Sequence, residues 1–252
     1  PGTIPSNMIE PILNIRCLTE ACRHAGISFR VHDTFGNVVS VSHGGREHFF
    51  ANFTTPFNND AVSRLCKDKE FSYRLIKGVV RMPNTCGFFD PAHEDERFAA
   101  YKKEISHEEI AQKIGAAFPL PVIVKMNAGT RGTNVYKCID AGEVRRALSA
   151  IFAPHSRHYD YVALAQEYVP PTHEFRVIVC RRKALLAYEK DISHARFVGN
   201  LSPFYYEGAR AVHLTDAGIL SRCERFLAPA FDVVPVEFCG ADIIEVFWFG
   251  IS

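Results

Sequence analysis

The sequence lacks most of the features that would assign it to a common class at first reading. It has no C-x-x-C pair, which argues against a zinc ribbon and against a thioredoxin-like redox site. Its longest apolar stretch, residues 118–124, is far shorter than a membrane span and contains two prolines. Its first ten residues lack the positive patch and the apolar core of a signal peptide. We therefore expect a cytoplasmic protein that makes no contact with a membrane.

The chain also lacks an excess of charge of either sign. It carries 29 Lys and Arg against 28 Asp and Glu, so the formal net charge is +1. Bulk electrostatic attraction is therefore no reason to expect binding to nucleic acid or to an anionic surface. With 252 residues and 47% hydrophobic content, the chain can form one large domain or two to three packed lobes. The eight cysteines lie mostly in apolar runs, which predicts buried, reduced thiols.

Helix-like and strand-like patterns alternate along the chain without a repeat, which predicts an α+β protein with several antiparallel strands. The charged, aperiodic segment 90–104 is predicted to be a mobile loop, and residues 191–213 are predicted to be irregular. The remaining predicted elements are a helix at 8–25, a strand at 27–32, a hairpin at 37–53 turning at Gly44-Gly45, a helix from Asn58 or Asn59 to Ile76, strands at 84–89 and 121–125, a helix at 106–117, a strand at 134–139, a helix at 140–152, strands at 161–169, 173–182 and 184–190, a helix near 216–228 and a buried strand in the segment that follows.

The most informative stretch is VIVKMNAGTRGTNVYK, residues 122–137. Lys125 ends an apolar strand, and a turn of small and polar residues at 126–133 precedes the next strand. Small residues let the backbone approach a ligand closely, so such a turn can present N–H groups to phosphate oxygens beside the lysine charge. The turn is neither a Walker A loop nor the G-x-G-x-x-G of a dinucleotide fold. On its own it is also compatible with a surface lysine followed by an ordinary hairpin.

Further motifs follow in a fixed order. Asp68-Lys69 lies on a helix that precedes MPNT (82–85), and downstream come LAQEYVPPTHEFRVIV (164–179), KALLAYEK (183–190) and CGADII (239–244). Together with the lysine-ended strand, this series resembles the ATP-grasp superfamily, in particular its carboxylate–amine ligases of the RimK type, cyanophycin synthetase and the ATP-grasp part of bifunctional glutathione synthetase. The resemblance covers roughly residues 55–244, which is most of the chain.

The resemblance implies an ATP-grasp fold, in which two α+β lobes hold the nucleotide, here with a small N-terminal α/β lobe. The expected division is a small N-terminal lobe at 1–55, a central linker lobe carrying the first lysine at 56–120, the phosphate-loop lobe at 121–170, and a C-terminal lobe with the metal and substrate side at 171–252. The N-terminal lobe is short, so we do not expect it to form a complete substrate domain.

The resemblance also implies an ATP site with two lysines, Lys69 and Lys125, which reach the phosphates from different lobes. Lys67 is a rival for Lys69. Residues 166–169 resemble the segment whose backbone pairs with the adenine edge, and Glu174 resembles the carboxylate that accepts hydrogen bonds from the ribose; Glu167 and Glu174 could instead be solvated strand charges. The residues expected to bind ATP are Lys69, Lys125, Asn127, Gly129, Thr130, Gly132, Gln166, Glu167, Tyr168, Val169 and Glu174.

Asp242 resembles the first magnesium-binding acid, and a hard carboxylate oxygen suits Mg²⁺. On the substrate side, the resemblance implies that Arg176, Lys190, Arg196 and Asn200 approach the reacting carboxylate. Such cations would stabilise charge on the transferred phosphoryl group and on the adduct that the amine forms. Residues 194–209 resemble the loop that carries the asparagine. The aromatic residues 204–206 of this segment are as compatible with packing as with a role on the substrate side.

One feature departs from the family pattern. A second strand ending in Glu-x-Asn is expected after Asp242, but here Glu245 comes too soon for a return strand and Phe247 stands where asparagine would be. An incomplete chain, absent residues between 244 and 245, and a degraded metal site are all compatible with this.

The expected function is therefore an ATP- and Mg²⁺-dependent ligase that joins a small-molecule or peptide carboxylate to an amine through an acyl phosphate, releasing ADP and phosphate. A non-catalytic ATP-grasp protein with a degraded metal site is the main alternative. An ATP-grasp kinase and an unrelated α+β binding protein also remain open. No nucleic-acid or membrane partner is expected.

Overall fold

The computed structural model describes residues 11–246, which form two compact units that divide between residues 59 and 60. The first three residues of the helix predicted at 8–25, and Phe247, lie outside the described residues. Within the described part, no helix is long and apolar enough to cross a membrane.

The first unit is a helix on a three-stranded antiparallel sheet. Its elements are α1 (Leu13–His24), β1 (Ser28–Val31), β2 (Val38–His43) and β3 (Arg46–Ala51), with the strands in the order β1-β2-β3. The predicted hairpin turn at Gly44-Gly45 is confirmed: both glycines have positive φ, 58° and 72°, as a two-residue hairpin loop requires. Ile15 and Cys22 of α1 share a core with strand residues such as Val39.

The second unit begins with two short helices where the sequence predicted one. They are α2 (Asp60–Lys67) and α3 (Lys69–Ile76). The single helix was wrong because Asp68 has an extended backbone, and its side chain accepts a hydrogen bond from the Phe71 N–H group. Asp68 therefore caps a new helix in which Lys69 is the first residue.

A four-stranded sheet in the order β4-β7-β5-β6 follows, with every neighbouring pair antiparallel. Helices α4 and α5 cover one face, and their residues Ile110, Ile114 and Leu148 are fully buried against strand residues such as Val124. The elements are β4 (Thr85–Phe89), α4 (His107–Ala117), β5 (Val122–Met126), β6 (Val135–Cys138), α5 (Ala141–Ile151) and β7 (Val162–Glu167).

A second four-stranded sheet has the order β10-β9-β8-β11 and is also antiparallel. Helix α6 packs on one face through Cys223, Leu227 and Phe231, so the core of this sheet lies between α6 and strand residues such as Val177. The elements are β8 (His173–Cys180), β9 (Lys183–Asp191), β10 (Arg210–Leu214), α6 (Ala217–Val233) and β11 (Phe238–Glu245).

Two segments carry more structure than the sequence indicated. Residues 96–101, within the predicted mobile loop, form a 3-10 helix, and its Phe98 packs against the rings of Phe89 and Tyr161. The end of the predicted irregular segment, together with Leu214, forms β10. The sequence did not predict this strand because its residues are almost all exposed and show too little apolar alternation.

The prediction of buried thiols holds for only some cysteines. Cys22, Cys138 and Cys223 are buried, whereas Cys17, Cys66 and Cys86 are exposed, and all are free thiols.

Candidate functional site

The loop between β5 and β6, residues 127–134, folds through left-handed backbone conformations and close glycine contacts. Gly132 has φ = +71° and Arg131 has φ = +57°. A Cβ atom on Gly129 would lie 2.3 Å from Cγ of Met126 and 3.1 Å from the backbone oxygen of Thr133, so a side chain there would require the Met126 side chain and the loop to shift. The loop is therefore a compact turn directly after the strand that carries Lys125, as the sequence indicated.

Lys69 joins this loop to α3. Its ammonium donates hydrogen bonds to the carbonyl oxygens of Asn127 and Gly129, each at 2.6 Å. The buried side chain of Asn127 in turn accepts from the N–H group of Glu70 at 2.9 Å and so helps to cap α3. Lys67, the rival in the sequence, ends α2 with an exposed side chain. The contact geometry therefore favours Lys69 as the lysine at the loop.

Lys125 lies on the face of the sheet that α4 and α5 leave open. Its ammonium donates to Oε1 of Gln166 at 2.7 Å, and Nε2 of Gln166 donates to the Thr85 hydroxyl at 2.8 Å. Burial lowers the pKa of Lys125 to about 8, and the nearby positive charge of Lys69 acts in the same direction. Burial also lowers the pKa of Lys69, against an opposing attraction from Asp160 and Asp68. Two cations that are held close together and partly desolvated make a site that favours a polyanion.

Asp160 is a buried residue of this site that the sequence analysis missed. Its carboxylate accepts from the N–H group of Ala128 in the β5–β6 loop at 2.7 Å and from that of Val162 at 3.1 Å. The only sequence signal was its position immediately before the polar-to-apolar boundary that opens β7. Its contacts fix the start of the loop against the neighbouring strand.

The predicted adenine-pairing residues, 166–169, lie at the end of β7 and in the two positions that follow it. Glu167 closes the strand end: its carboxylate accepts from the backbone and side-chain N–H groups of Asn84 at 3.2 and 3.1 Å. The ring of Tyr168 lies under the ammonium of Lys137, which is 3.8 Å from the ring centroid. Lys137, a β6 residue, was also missed by the sequence analysis, since only its alternate position in a short strand marks it.

The open face of the second sheet carries four predicted residues that a chain of ion pairs connects. The ammonium of Lys190 lies 2.8 Å from Oδ1 of Asp242 and also contacts Oε1 of Glu174. Arg176 lies opposite Asp242 in the ladder and donates to its Oδ2 at 2.8 Å. Burial alone would lower the pKa of Lys190, but its hydrogen bonds to Asp242 and Glu174 together raise it. We call these four residues the charged cluster.

Gly240 makes room for one member of the charged cluster. A Cβ atom at this position would lie 2.6 Å from both Nε and one terminal nitrogen of Arg176. The guanidinium therefore lies directly over the Gly240 backbone, which explains the glycine two residues before Asp242 in the GAD motif.

The other two predicted substrate-side residues lie outside the charged cluster. Arg196 pairs through its guanidinium with Glu207, and the same two residues form a backbone bridge, so Arg196 closes its own loop. Asn200 contacts the β5–β6 loop, where its Nδ2 donates to the Arg131 carbonyl oxygen at 3.1 Å. Neither contact places these side chains beside Asp242.

The described residues contain no group of three or more His, Cys, Asp or Glu side chains arranged to hold a metal ion. Two carboxylates, those of Asp242 and Glu174, meet at Lys190, and the Asp242 side chain is about half exposed. Mg²⁺ commonly uses one or two protein carboxylates and completes its shell with phosphate oxygens and water. This donor set therefore fits a Mg²⁺ ion that is shared with a nucleotide, and it does not fit a closed protein site.

No protein-family model matches the sequence, and neither does any curated protein. The fold, in contrast, matches solved structures of ligases. These include D-alanine–D-alanine ligase from Bacillus anthracis, with a TM-score of 0.50 and 16% identity over 75% of this chain and 55% of that one. The same enzyme from Coxiella burnetii gives a TM-score of 0.52 and 15% identity over 75% and 46% of the two chains. The VanG D-Ala:D-Ser ligase from Enterococcus faecalis gives 0.52 and 14% over 73% and 50%.

The chain thus spans about half the length of these ligases. At such low identity the likeness shows the fold alone. The predicted α+β class and ATP-grasp fold are confirmed, and the roles of individual residues stay predictions.

Proposed function

We propose that this protein is an ATP-dependent ligase that joins a carboxylate to an amine through an acyl phosphate, with release of ADP and phosphate. The observation that carries the proposal is the pairing of two partly buried lysines, Lys69 and Lys125, at one compact loop, on a fold shared with known ligases. Neither lysine is neutralised by a direct carboxylate contact; both donate to neutral oxygens. Phosphate oxygens would accept stronger hydrogen bonds from the two ammonium groups than those neutral oxygens do, because both partners would be charged.

In this proposal the nucleotide lies between the open faces of the two four-stranded sheets. Lys69 and Lys125 hold the phosphates, and the segment 166–169 meets the adenine edge. Asn127, Gly129, Thr130 and Gly132 belong to the loop that would wrap the phosphates, and the compact backbone of this loop, in which Gly132 has φ = +71°, supports that use. Glu174 would accept from the ribose hydroxyls or share the metal, and its contact with Lys190 is compatible with both roles.

The charged cluster would perform the chemistry. A carboxylate is a poor electrophile, so its oxygen first attacks the γ-phosphorus, and the bond from that phosphorus to the bridging oxygen breaks to release ADP. The amine then attacks the acyl carbon, loses a proton and expels phosphate. Arg176 and Lys190 would stabilise negative charge in both steps. Mg²⁺ held by Asp242 would supply charge neutralisation at the phosphates.

The basic residues on this side favour an anionic acid, such as an amino acid or a peptide terminus. Arg176 and Lys190 can leave their present carboxylate partners when Mg²⁺ and the substrate enter, because the exchange keeps each charge paired. The pairing of Arg196 with Glu207 does not place its guanidinium beside Asp242, so we assign Arg196 to substrate binding rather than to the phosphoryl transfer.

A second candidate, a nucleotide-binding protein without turnover, is favoured by one observation. Asp242 is engaged by both Lys190 and Arg176, so the chain neutralises its own metal-type carboxylate. If this pairing persisted with nucleotide bound, Mg²⁺ would find no free carboxylate.

Calorimetric titration of ATP with and without Mg²⁺, beside an assay of ADP release with mixed amino acids, tests the proposal. Magnesium-dependent binding with acid-stimulated ADP release is the expected result. Binding without turnover would favour the second candidate, and turnover that is equal with neutral and anionic acids would remove the proposed preference. An absence of binding would contradict both functions.

A further inference from the structure

Asn200 was expected to approach a reacting carboxylate, but its amide is already engaged at both ends. Nδ2 donates to the carbonyl oxygen of Arg131 at 3.1 Å, and Oδ1 accepts from the N–H group of Ser202 at 2.8 Å. The first contact crosses 69 residues to the β5–β6 loop, and the second is a local turn in its own loop. The side chain therefore links two loops that the sequence places far apart.

Gly132 shows how closely these loops approach. A Cβ atom at this position would lie 2.0 Å from Oδ1 of Asn200 and 3.0 Å from Cβ of Ser202. Gly132 also has φ = +71°, so the position requires glycine on two separate grounds. The contact is thus a close fit of backbone against side chain.

The loop that carries Asn200, the β9–β10 loop (residues 192–209), is tied to itself and to the charged cluster. Arg196 and Glu207 bridge it through two backbone hydrogen bonds of 2.8 and 2.9 Å. The Phe204 ring lies 5.6 Å from the Tyr188 ring and 5.9 Å from the ammonium of Lys190. A loop fastened internally in this way transmits a displacement at Asn200 to Phe204 more readily than an open coil would.

We infer that Asn200 is a positioning residue that ties the β9–β10 loop to the β5–β6 loop, so that the two loops move together. This rests on the proposed function in one respect: a nucleotide that orders the β5–β6 loop also orders the β9–β10 loop above the charged cluster. ATP binding thereby prepares the substrate side before the acid arrives. The Nδ2 group of Asn200 makes this connection by donating to the carbonyl oxygen of Arg131.

Hydrogen–deuterium exchange of the full chain tests this inference. Asn200→Asp keeps an oxygen acceptor for Ser202 but removes the donor to Arg131, and Ser202→Ala is the matched control because it keeps the backbone N–H group. We expect Asn200→Asp to raise exchange about 2- to 10-fold in both loops without any ligand, which is the range for one lost hydrogen bond. Ser202→Ala should exchange like the wild type.

The same experiment is repeated with the non-hydrolysable analogue AMP-PNP and Mg²⁺. In the wild type and in Ser202→Ala, we expect the analogue to slow exchange in both loops. In Asn200→Asp it should still slow exchange in the β5–β6 loop but leave the β9–β10 loop unprotected, which a merely structural role for Asn200 would not produce. Asn200→Ala gives a second variant if the carboxylate proves disruptive.

The outcomes separate the two proposals. Unchanged exchange of the β5–β6 loop in both Asn200 variants, or protection of both loops by the analogue in Asn200→Asp, would overturn the tie. Faster exchange of both loops in Asn200→Asp, together with no binding of the analogue by the wild type, would support the tie and contradict the nucleotide function.

Discussion

The ammonium of Lys69 and the carbonyl oxygen of Asn127 are 2.6 Å apart, although 58 residues separate them in the chain. The contact is made possible by a helix boundary: Asp68 caps α3, which places Lys69 in its first turn beside the β5–β6 loop. The side chain of Asn127 closes the same junction by accepting from Glu70. Loop and helix thus fix each other before any ligand is present.

Replacement of Lys69 by alanine should therefore weaken nucleotide binding. A hydrogen bond to a charged group contributes about 1.5–3 kcal/mol, so we expect an affinity roughly 10- to 100-fold lower for AMP-PNP. Lys67→Ala is the matched control, since this exposed side chain two positions earlier should be replaceable without effect. Isothermal titration calorimetry on the three proteins checks this. Equal losses in both variants would indicate a general charge effect and contradict the assigned contact.

Nucleotide affinity should also depend on pH through Lys125. Burial lowers the pKa of Lys125 to about 8 in the free protein, and bound phosphate would raise it again. Below pH 8 the lysine is already protonated, whereas above pH 8 binding must first add a proton. Affinity should thus fall as pH rises through 8, by up to about tenfold per pH unit.

The corresponding measurement is proton uptake during binding, from calorimetry in two buffers of different ionisation enthalpy. We expect uptake at pH 8.5 and little at pH 6.5. Lys125→Arg, which stays charged throughout, should bind without this uptake even if its affinity differs. Uptake that persists unchanged in Lys125→Arg would assign the pH dependence to another group.

Lys69 and Lys125 show which parts of the candidate site the sequence can predict. The apolar strand and small-residue turn located Lys125, and the order of motifs located Lys69, because both signals are local in sequence. Asp160 was not predictable, since its role is to accept from Ala128, and only the pairing of β5 with β7 brings them together. The same limit applies to Asn200, whose partner Arg131 lies on another sheet's loop.

The break between α2 and α3 shows a second limit. The apolar periodicity runs through Asp68 almost unchanged, so the pattern predicted one helix. Asp68 instead uses its carboxylate as a cap, and a residue of this type suits a helix start far better than a helix interior. The preference of Asp68 for a helix N-cap therefore sets the boundary between α2 and α3, which the apolar periodicity does not reveal.

Asp242→Asn should remove the effect of Mg²⁺ on nucleotide affinity without removing nucleotide binding itself. Removing the carboxylate charge leaves the lysines at the β5–β6 loop intact, so affinity for AMP-PNP without Mg²⁺ should be within about threefold of the wild type. The gain in affinity on adding Mg²⁺ should be lost. Asp232→Asn is the control. It changes an exposed carboxylate of α6 that pairs with Arg182, and it should keep that gain. Titrations with and without Mg²⁺ decide the matter, and a full magnesium effect in Asp242→Asn would place the ion elsewhere.

Gly240 offers a test of the charged cluster that spares the fold. In Gly240→Ala the new methyl group would displace the Arg176 guanidinium, which is the far end of a flexible side chain, so folding should lose no more than about 1 kcal/mol. The proposed ADP release should nevertheless fall at least about tenfold, because Arg176 no longer lies beside Asp242. Gly115→Ala in α4 meets nothing within 4 Å and should stabilise the protein by roughly 0.5–1 kcal/mol with full activity. Thermal unfolding and ADP release measured on both variants give the comparison, and equal activity in the two would show that the position of Arg176 does not matter for turnover.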